Sequence, residues 1–232
     1  MRNRFYSRWK LAGSLLAIAG VFAFSPATRA ELLLGFDVNG LAGSQLATTN
    51  SVSAANIDTA SPFARITRGS GLIAGAGAGS MLSSSWTLPT TATIANSITS
   101  NDFHTLKISP ASGYTLDLTN FSVRITRSGT GASNFVLRAS TDNFGSDLAT
   151  WRVAGTGISN FVATLSIAAS TGVEFRVYGF GSGNAGGTAR VPTDGADFGT
   201  TGVDLAIFGT AVAAGPENAV SGNGVTITDG DA

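Results

Sequence analysis

Alternation of apolar and polar residues recurs along the chain after residue 30 and predicts β-strands with one buried face. In "NFSVRITRS" the alternating apolar residues are Phe121, Val123 and Ile125. The polar residues between them, predicted to face water, are Ser122, Arg124 and Thr126. The pattern therefore places one side of this strand in a core and the other in solvent.

The stretch "GVEFRVYGF" repeats the alternation. Its apolar set is Val173, Phe175 and Val177, and the opposite set is Glu174, Arg176 and Tyr178. The opposite charges of Glu174 and Arg176 predict an ordinary surface ion pair. Tyr178 falls on the polar face beside the loop "GFGSGNAGG", and we expect its side chain to be exposed.

The same pattern predicts seven further strands, at 31–38, 63–67, 103–109, 114–118, 135–140, 161–167 and 203–211. Segments rich in Gly, Asn, Asp and Ser separate them and predict turns. No window has apolar residues at helical spacing for three turns, and the Gly- and Ala-rich segment 69–81 is predicted to be a surface loop. The chain is therefore predicted to be all-β, an antiparallel two-sheet sandwich of the jelly-roll type formed by residues 31–212.

The first 30 residues have the composition of a cleaved signal peptide. Four basic residues in "MRNRFYSRWK" precede an apolar run of 14 residues, 11–24, which is shorter than the roughly 20 residues that span a bilayer. Small residues in "SPATRA" predict cleavage after Ala30. The alternative is an uncleaved membrane anchor. The cleaved form predicts a secreted or cell-surface protein.

Removal of this segment changes the charge of the chain. It takes away five of the 14 basic residues and none of the 14 acidic ones, which leaves a net charge of −5. An acidic chain with scattered basic residues lacks the basic surface of a nucleic-acid-binding protein and a basic face for anionic lipid. We therefore expect no nucleic-acid partner and no membrane insertion after signal cleavage.

The C-terminal residues predict a second unit. A linker with Gly215 and Pro216 occupies 213–220, and "SGNGVTITDGDA" begins a new alternation at 221–232. So short a strand is not stable alone, so it either pairs back on the sandwich or begins a truncated second β module. The second interpretation is preferred.

Two resemblances follow from these motifs. The stretch "GNGVTITDGD" resembles the start of the choice-of-anchor D domain, an immunoglobulin-like module of exported bacterial surface proteins. The region 31–212, through "ELLLGFDVNG", "ISPASGYTLDLTNFSVRITRSGTG" and "VEFRVYGFGSGNAGGTARV", resembles secreted bacterial jelly-roll domains. Such domains usually have no assigned activity, so the resemblance implies a surface module without catalysis.

The residues themselves offer little catalytic chemistry. His104 is the single histidine, cysteine is absent, and no Gly-x-Ser-x-Gly motif occurs. Thiol catalysis and the usual nitrogen and sulfur ligands of zinc are therefore excluded. A pair of carboxylates for glycoside hydrolysis remains a less favoured alternative, because nothing in the sequence selects a pair.

Calcium is the one metal that the turns favour, as a structural ion. Oxygen-rich turns offer two groups of ligands: Asp142, Asn143 and Asp147 in "STDNFGSD", and Asp194 and Asp197 in "TDGADFG". No other cofactor is expected. The alternative for these residues is an ordinary turn role, because Asp and Asn stabilise turns through backbone hydrogen bonds.

Exposed aromatic residues can stack on sugar rings. Tyr178 is the preferred candidate, followed by Trp86 and Trp151, for which packing in the core is favoured. The sequence thus predicts an exported, non-catalytic module that binds a glycan or another surface molecule. A purely structural spacer is the alternative.

Overall fold

The structure, a computed structural model, describes residues 30–42, 47–48, 51–60, 62–192, 198 and 202–215. Within them the protein is a sandwich of two antiparallel sheets. The eight-stranded sheet contains β1 (Glu31–Phe36), β3 (Ser51–Ser53), β5 (Ile73–Ala74), β6 (Ser80–Ser84), β8 (Tyr114–Arg127), β11 (Ser159–Ala169), β13 (Ala189–Pro192) and β14 (Leu205–Ala213). The six-stranded sheet contains β2 (Ala47–Thr48), β4 (Ile66–Arg68), β7 (Phe103–Ile108), β9 (Asn134–Ala139), β10 (Ala149–Arg152) and β12 (Val173–Phe180).

Strand β8 is the centre of the larger sheet. It pairs with β14 along one edge and β11 along the other, so that Phe121 lies level with Ile207 and with Ala163. The first and last strands also pair, at Phe36 and Leu205. Between β6 and β13 the chain changes sheet at almost every step, as in jelly rolls. The predicted all-β antiparallel sandwich is confirmed.

The alternating apolar residues form the core between the sheets, as predicted. Phe121 and Phe175, from opposite sheets, lie 5.5 Å apart between ring centroids. Trp151 stacks between Phe121 at 6.3 Å and Phe161 at 5.3 Å. Each fully buried aromatic or aliphatic side chain contributes about 1.5–3 kcal/mol, so this core accounts for folding without disulfides.

The polar face predicted for "NFSVRITRS", the second half of β8, does not meet water, so this prediction is wrong. Its members are all buried: Ser122, Arg124 and Thr126. Arg124 Nη1 donates to Asp204 Oδ1 at 2.7 Å, and Asp204 Oδ2 accepts from the Val38 N–H at 3.0 Å. The segment that enters β14 therefore covers Arg124, and the buried charge is paired.

The segment 69–81 is only partly a loop, so the prediction is wrong in part. It contains β5 and the start of β6, which pair with each other. A Cβ on Gly69 would lie 2.1 Å from the Asn101 carbonyl oxygen, and one on Gly71 would lie 2.0 Å from that of Ser100. The glycines are required because this backbone packs directly against residues 100–101.

One helix, α1 (Ile94–Ser100), precedes β7. Its seven residues are too few for a periodic pattern. The Thr93 N–H donates to Asn96 Oδ1 at 2.9 Å, and Asn101 ends the helix at a φ of 59°. No helix in the described ranges is long and apolar enough to cross a membrane.

Several sequence predictions lie outside the described residues. These are the signal peptide before Ala30, residues 216–232 with the second module, and Asp194 and Asp197. They stay predictions. Ala213 of the predicted linker is the last residue of β14.

Candidate ligand-binding site

A cleft of about 510 Å³ lies between α1 and the segment 85–88, and we name it the helix cleft. Its polar lining consists mainly of small hydroxyl and amide side chains: Ser85, Thr87, Asn96, Thr99, Ser100 and the carboxylate of Asp102. Ligand pockets commonly have this size and a few convergent polar groups. The helix cleft is therefore the best candidate site.

Helix α1 fixes Asp102 at the cleft through hydrogen bonds to the Asp102 backbone. The Ser97 hydroxyl donates to the carbonyl oxygens of Asp102 at 2.9 Å and of Gly179 at 3.0 Å. The Asp102 N–H donates to the Ser97 carbonyl, and the Gly179 N–H donates to the Asp102 carbonyl. Asp102 is thus fixed against both α1 and β12.

The Asp102 carboxyl has one oxygen that the described protein leaves without a partner. Oδ2 accepts a hydrogen bond from the Thr87 hydroxyl, whereas Oδ1 is buried and has none. Burial raises the pKa of Asp102, and the hydrogen bonds from Thr87 oppose that rise. An unpartnered buried acceptor costs roughly 1–3 kcal/mol, so a donor from outside the chain would stabilise this carboxyl.

The residues around the Asp102 carboxyl pack closely against it. A Cβ on Gly71 would lie 2.1 Å from Asp102 Oδ1, so only glycine fits beside that oxygen. Ser85 lies across the cleft with a φ of 64°, a left-handed conformation that a residue with a side chain seldom adopts. Strained residues of this kind cluster at binding sites.

Trp86 separates the helix cleft from the core. Its ring is 2% exposed, meets His104 and Phe135 edge to face at 5.3 and 5.8 Å, and donates from Nε1 to the Ser83 carbonyl. Trp151 is buried as well. The predicted core packing of both tryptophans is confirmed, so neither presents an open face for sugar stacking.

Tyr178 lies on the predicted face of β12, but its side chain is only 2% exposed. The expectation of an exposed Tyr178 is therefore wrong. Phe103 packs edge to face against its ring at 5.2 Å, and the hydroxyl lies 3.4 Å from Arg176 Nη1. Strand alternation assigns a face, but it does not reveal which side chains cover that face.

The predicted ion pair of Glu174 and Arg176 is confirmed, at 2.8 Å. Lys107 on the paired strand β7 adds a second contact at 3.1 Å. Burial opposes ionisation of Glu174, but the hydrogen bonds and charges of Arg176 and Lys107 outweigh it and hold its pKa below the usual value. Arg176 is also stacked between Phe103 and Phe144, at 4.5 and 3.8 Å from the ring centroids.

The first predicted calcium turn is held by protein contacts. Asp142 accepts hydrogen bonds from the Gly145 and Ser146 N–H groups, and Asp147 pairs with Arg138 at 2.6 Å. The Ser146 hydroxyl and those N–H groups lower the pKa of Asp142. Asn143 takes the left-handed conformation, at a φ of 59°. The described residues contain no group of three acidic, His or Cys side chains placed to hold a metal, and the calcium prediction stays untested.

His104 contacts Ser83 in a buried contact between the two sheets. Ser83 Oγ lies 2.6 Å from His104 Nε2 and accepts a hydrogen bond from Arg68 Nε at 2.8 Å. Burial, followed by the charge of Arg68, lowers the pKa of His104 to about 3. The imidazole is therefore neutral at physiological pH, and the geometry suits a Ser83 hydroxyl that donates to it.

Sequence reasoning missed Asp102 and Thr87. Asp102 follows Asn101 immediately before a strand, which is the ordinary composition of a turn. Only the packing of α1 and Gly71 around the carboxyl distinguishes it from other aspartates. Local sequence carries no signal for that arrangement.

Neither a scan against models of protein families nor a search of curated proteins finds a match to this chain.

Proposed function

We propose that the protein is an exported, non-catalytic β-sandwich module that binds a glycan in the helix cleft. The observation that carries the proposal is the unpartnered Asp102 Oδ1 in a cleft lined by hydroxyl and amide groups. Export rests on the signal-peptide composition of residues 1–30. The resemblance of 221–232 to a choice-of-anchor D domain remains a prediction consistent with a surface protein.

A sugar hydroxyl is the donor that best suits this carboxyl. A hydroxyl can donate to this oxygen in either protonation state of the carboxyl, and it can also accept a hydrogen bond from a neighbouring group. Ser85, Thr87, Ser100 and Asn96 can exchange further hydrogen bonds with neighbouring hydroxyls of the ring.

Two features support binding without catalysis. Glycoside hydrolysis needs two carboxyl groups flanking the bond, and Asp102 is the single carboxylate among the described residues that line the cleft. The Ser83 and His104 pair could otherwise suggest a nucleophile and base, but both side chains are buried between the sheets. Neither residue lines the helix cleft, so a ligand bound there would not contact Ser83.

A glycan array with the purified protein tests the proposal. We expect the wild-type protein to bind a subset of neutral glycans, and Asp102→Asn to weaken that binding at least tenfold. Asp117→Asn is the matched control, because Asp117 is exposed on β8 and does not line the cleft. Ser100→Trp is a second test that fills the cleft from an exposed position.

The outcomes separate the candidate functions. Loss of binding in Asp102→Asn and Ser100→Trp, but not in Asp117→Asn, supports the helix cleft. A folded wild-type protein that binds no glycan contradicts the proposal and favours the structural spacer. Unchanged binding in both cleft variants contradicts the assignment of the site.

A further inference from the structure

Two depressions meet at Arg127, beside the loop of residues 181–187. The larger, about 410 Å³, is lined by Arg127 and Arg152, and the smaller, about 210 Å³, by Arg127 and Arg190. We name them together the arginine groove. Residues 181 and 183 line this groove, and Ala185 of the same loop lines the helix cleft. The two sites therefore flank one loop.

The three arginines of the groove have no carboxylate partner in the part of the chain that the structure describes, whereas four other cations have one. Arg127 donates only to the carbonyl oxygens of residues 128, 129, 131, 153 and 154, at 2.9–3.3 Å. The guanidinium groups of Arg152 and Arg190 make no hydrogen bond or ion pair with any part of the protein that the structure describes. By contrast, four cations outside the groove have a side-chain nitrogen 2.6–3.1 Å from a carboxylate oxygen of Asp or Glu: Lys107, Arg124, Arg138 and Arg176.

The lining of the groove leaves this charge uncompensated. No Asp or Glu is found among the described residues that line either depression. Positive charges gathered in a recess repel each other and raise the local concentration of anions. This concentration is notable in a chain whose form after signal cleavage carries a net charge of −5.

The walls of the groove are also suited to a bulky oxyanion. Thr90 and Thr130 contribute hydroxyl donors. The loop is rigid on this side, because the Thr130 carbonyl accepts hydrogen bonds from the Ser182 hydroxyl and from the Gly183 N–H, both at 2.8 Å. Guanidinium groups with free donors bind carboxylate and sulfate oxygens through paired hydrogen bonds.

We propose that the arginine groove binds the carboxylate or sulfate groups of an acidic polysaccharide. The identification of the polymer as a glycan rests on the proposed function. The anion site itself rests on the arginines. Arg152 and Arg190 supply the free donors. Arg127, held by carbonyl oxygens, supplies fixed positive charge between them.

Binding of three polymers tests the groove: dextran sulfate, polygalacturonate and uncharged dextran. The variants are Arg152→Gln with Arg190→Gln in one chain, and Arg65→Gln as the control, because Arg65 is likewise unpaired among the described residues but lies outside the groove. We expect the double variant to bind the acidic polymers at least tenfold more weakly. Its binding should also depend less on salt.

The polymers distinguish the source of the anion. Binding of dextran sulfate alone supports a sulfate ester, binding of polygalacturonate alone supports a carboxylate, and binding of both supports a general oxyanion site. Binding of neither polymer, or an equal loss in the Arg65→Gln control, overturns the proposal.

The helix-cleft variant keeps the two proposals separable. If Asp102→Asn leaves all binding intact while the arginine variant loses acidic polymers, the anion site stands and the helix cleft fails. If neutral glycan binding depends on Asp102 while the arginine variant behaves as wild type, the helix cleft stands and the anion site fails.

Discussion

The ion pair of Arg124 and Asp204 offers a sharp test of how the sandwich is held together. Both side chains are at most 1% exposed, and the carboxylate also accepts a hydrogen bond from the Val38 N–H of the segment after β1. The change Asp204→Asn keeps the shape of the side chain but removes its charge. The guanidinium would then be buried opposite a neutral amide.

The expected loss follows from this burial. Removing one partner of a buried, hydrogen-bonded ion pair costs about 3–5 kcal/mol, because the remaining charge stays desolvated. With a urea m-value of about 2 kcal/mol per M for a domain of this size, the unfolding midpoint should fall by about 1.5–2.5 M. The exposed Asp117→Asn should change the free energy of unfolding by less than about 0.5 kcal/mol.

Urea unfolding followed by tryptophan fluorescence measures these changes, since Trp86 and Trp151 are buried in the core. The double variant Arg124→Met with Asp204→Asn should lose less than the sum of the two single variants, because both charges of the ion pair are removed together. A loss below about 1 kcal/mol for Asp204→Asn, or single effects that simply add in the double variant, would contradict a buried ion pair whose two charges depend on each other.

Three further changes test other contacts. Gly179→Ala places a Cβ 2.5 Å from the Trp86 ring and should cost about 1–3 kcal/mol in urea unfolding, whereas Gly129→Ala, which meets nothing within 4 Å, should be nearly neutral. Because the pKa of His104 is about 3 when folded and 6.5 when exposed, the unfolded chain is protonated first as the pH falls. The contribution of neutral His104 to the free energy of unfolding is complete above pH 6.5 and is lost as the pH falls towards 3, by up to about 5 kcal/mol. Unfolding at several pH values should show a shallower slope in His104→Gln, and equal slopes would contradict a buried neutral imidazole. Arg176→Met should cost about 1–2 kcal/mol in thermal unfolding through the lost ion pair and ring stacking, and no change would contradict that role.

The strands were predictable because the alternation of apolar and polar residues reflects the burial of one strand face, which is a local property of the sequence. The bounds of β7 and β9 agree with the predicted 103–109 and 135–140 within one residue. The predicted strands 114–118 and "NFSVRITRS" form one continuous strand, β8. Leu118 and Phe121 both pair with residues of β11, so the strand is not interrupted between them.

The coverage of the outer faces could not be predicted, because it depends on residues distant in sequence. Arg124 is buried by a carboxylate 80 residues later in the chain. Tyr178 is covered through Phe103 on the neighbouring strand. Asp102 acquires its setting from Thr87 and Gly71, which local patterns do not connect to it. The candidate site was therefore invisible until the strands were assembled.

Amide chemical-shift mapping by NMR, with a glycan that the protein binds, locates the ligand site on the sandwich directly. We expect the shifts to concentrate at residues 85–88 and 96–102 and to disappear in Asp102→Asn. Shifts centred on other surfaces of the sandwich, with residues 85–88 and 96–102 unchanged, would contradict a ligand site in the helix cleft.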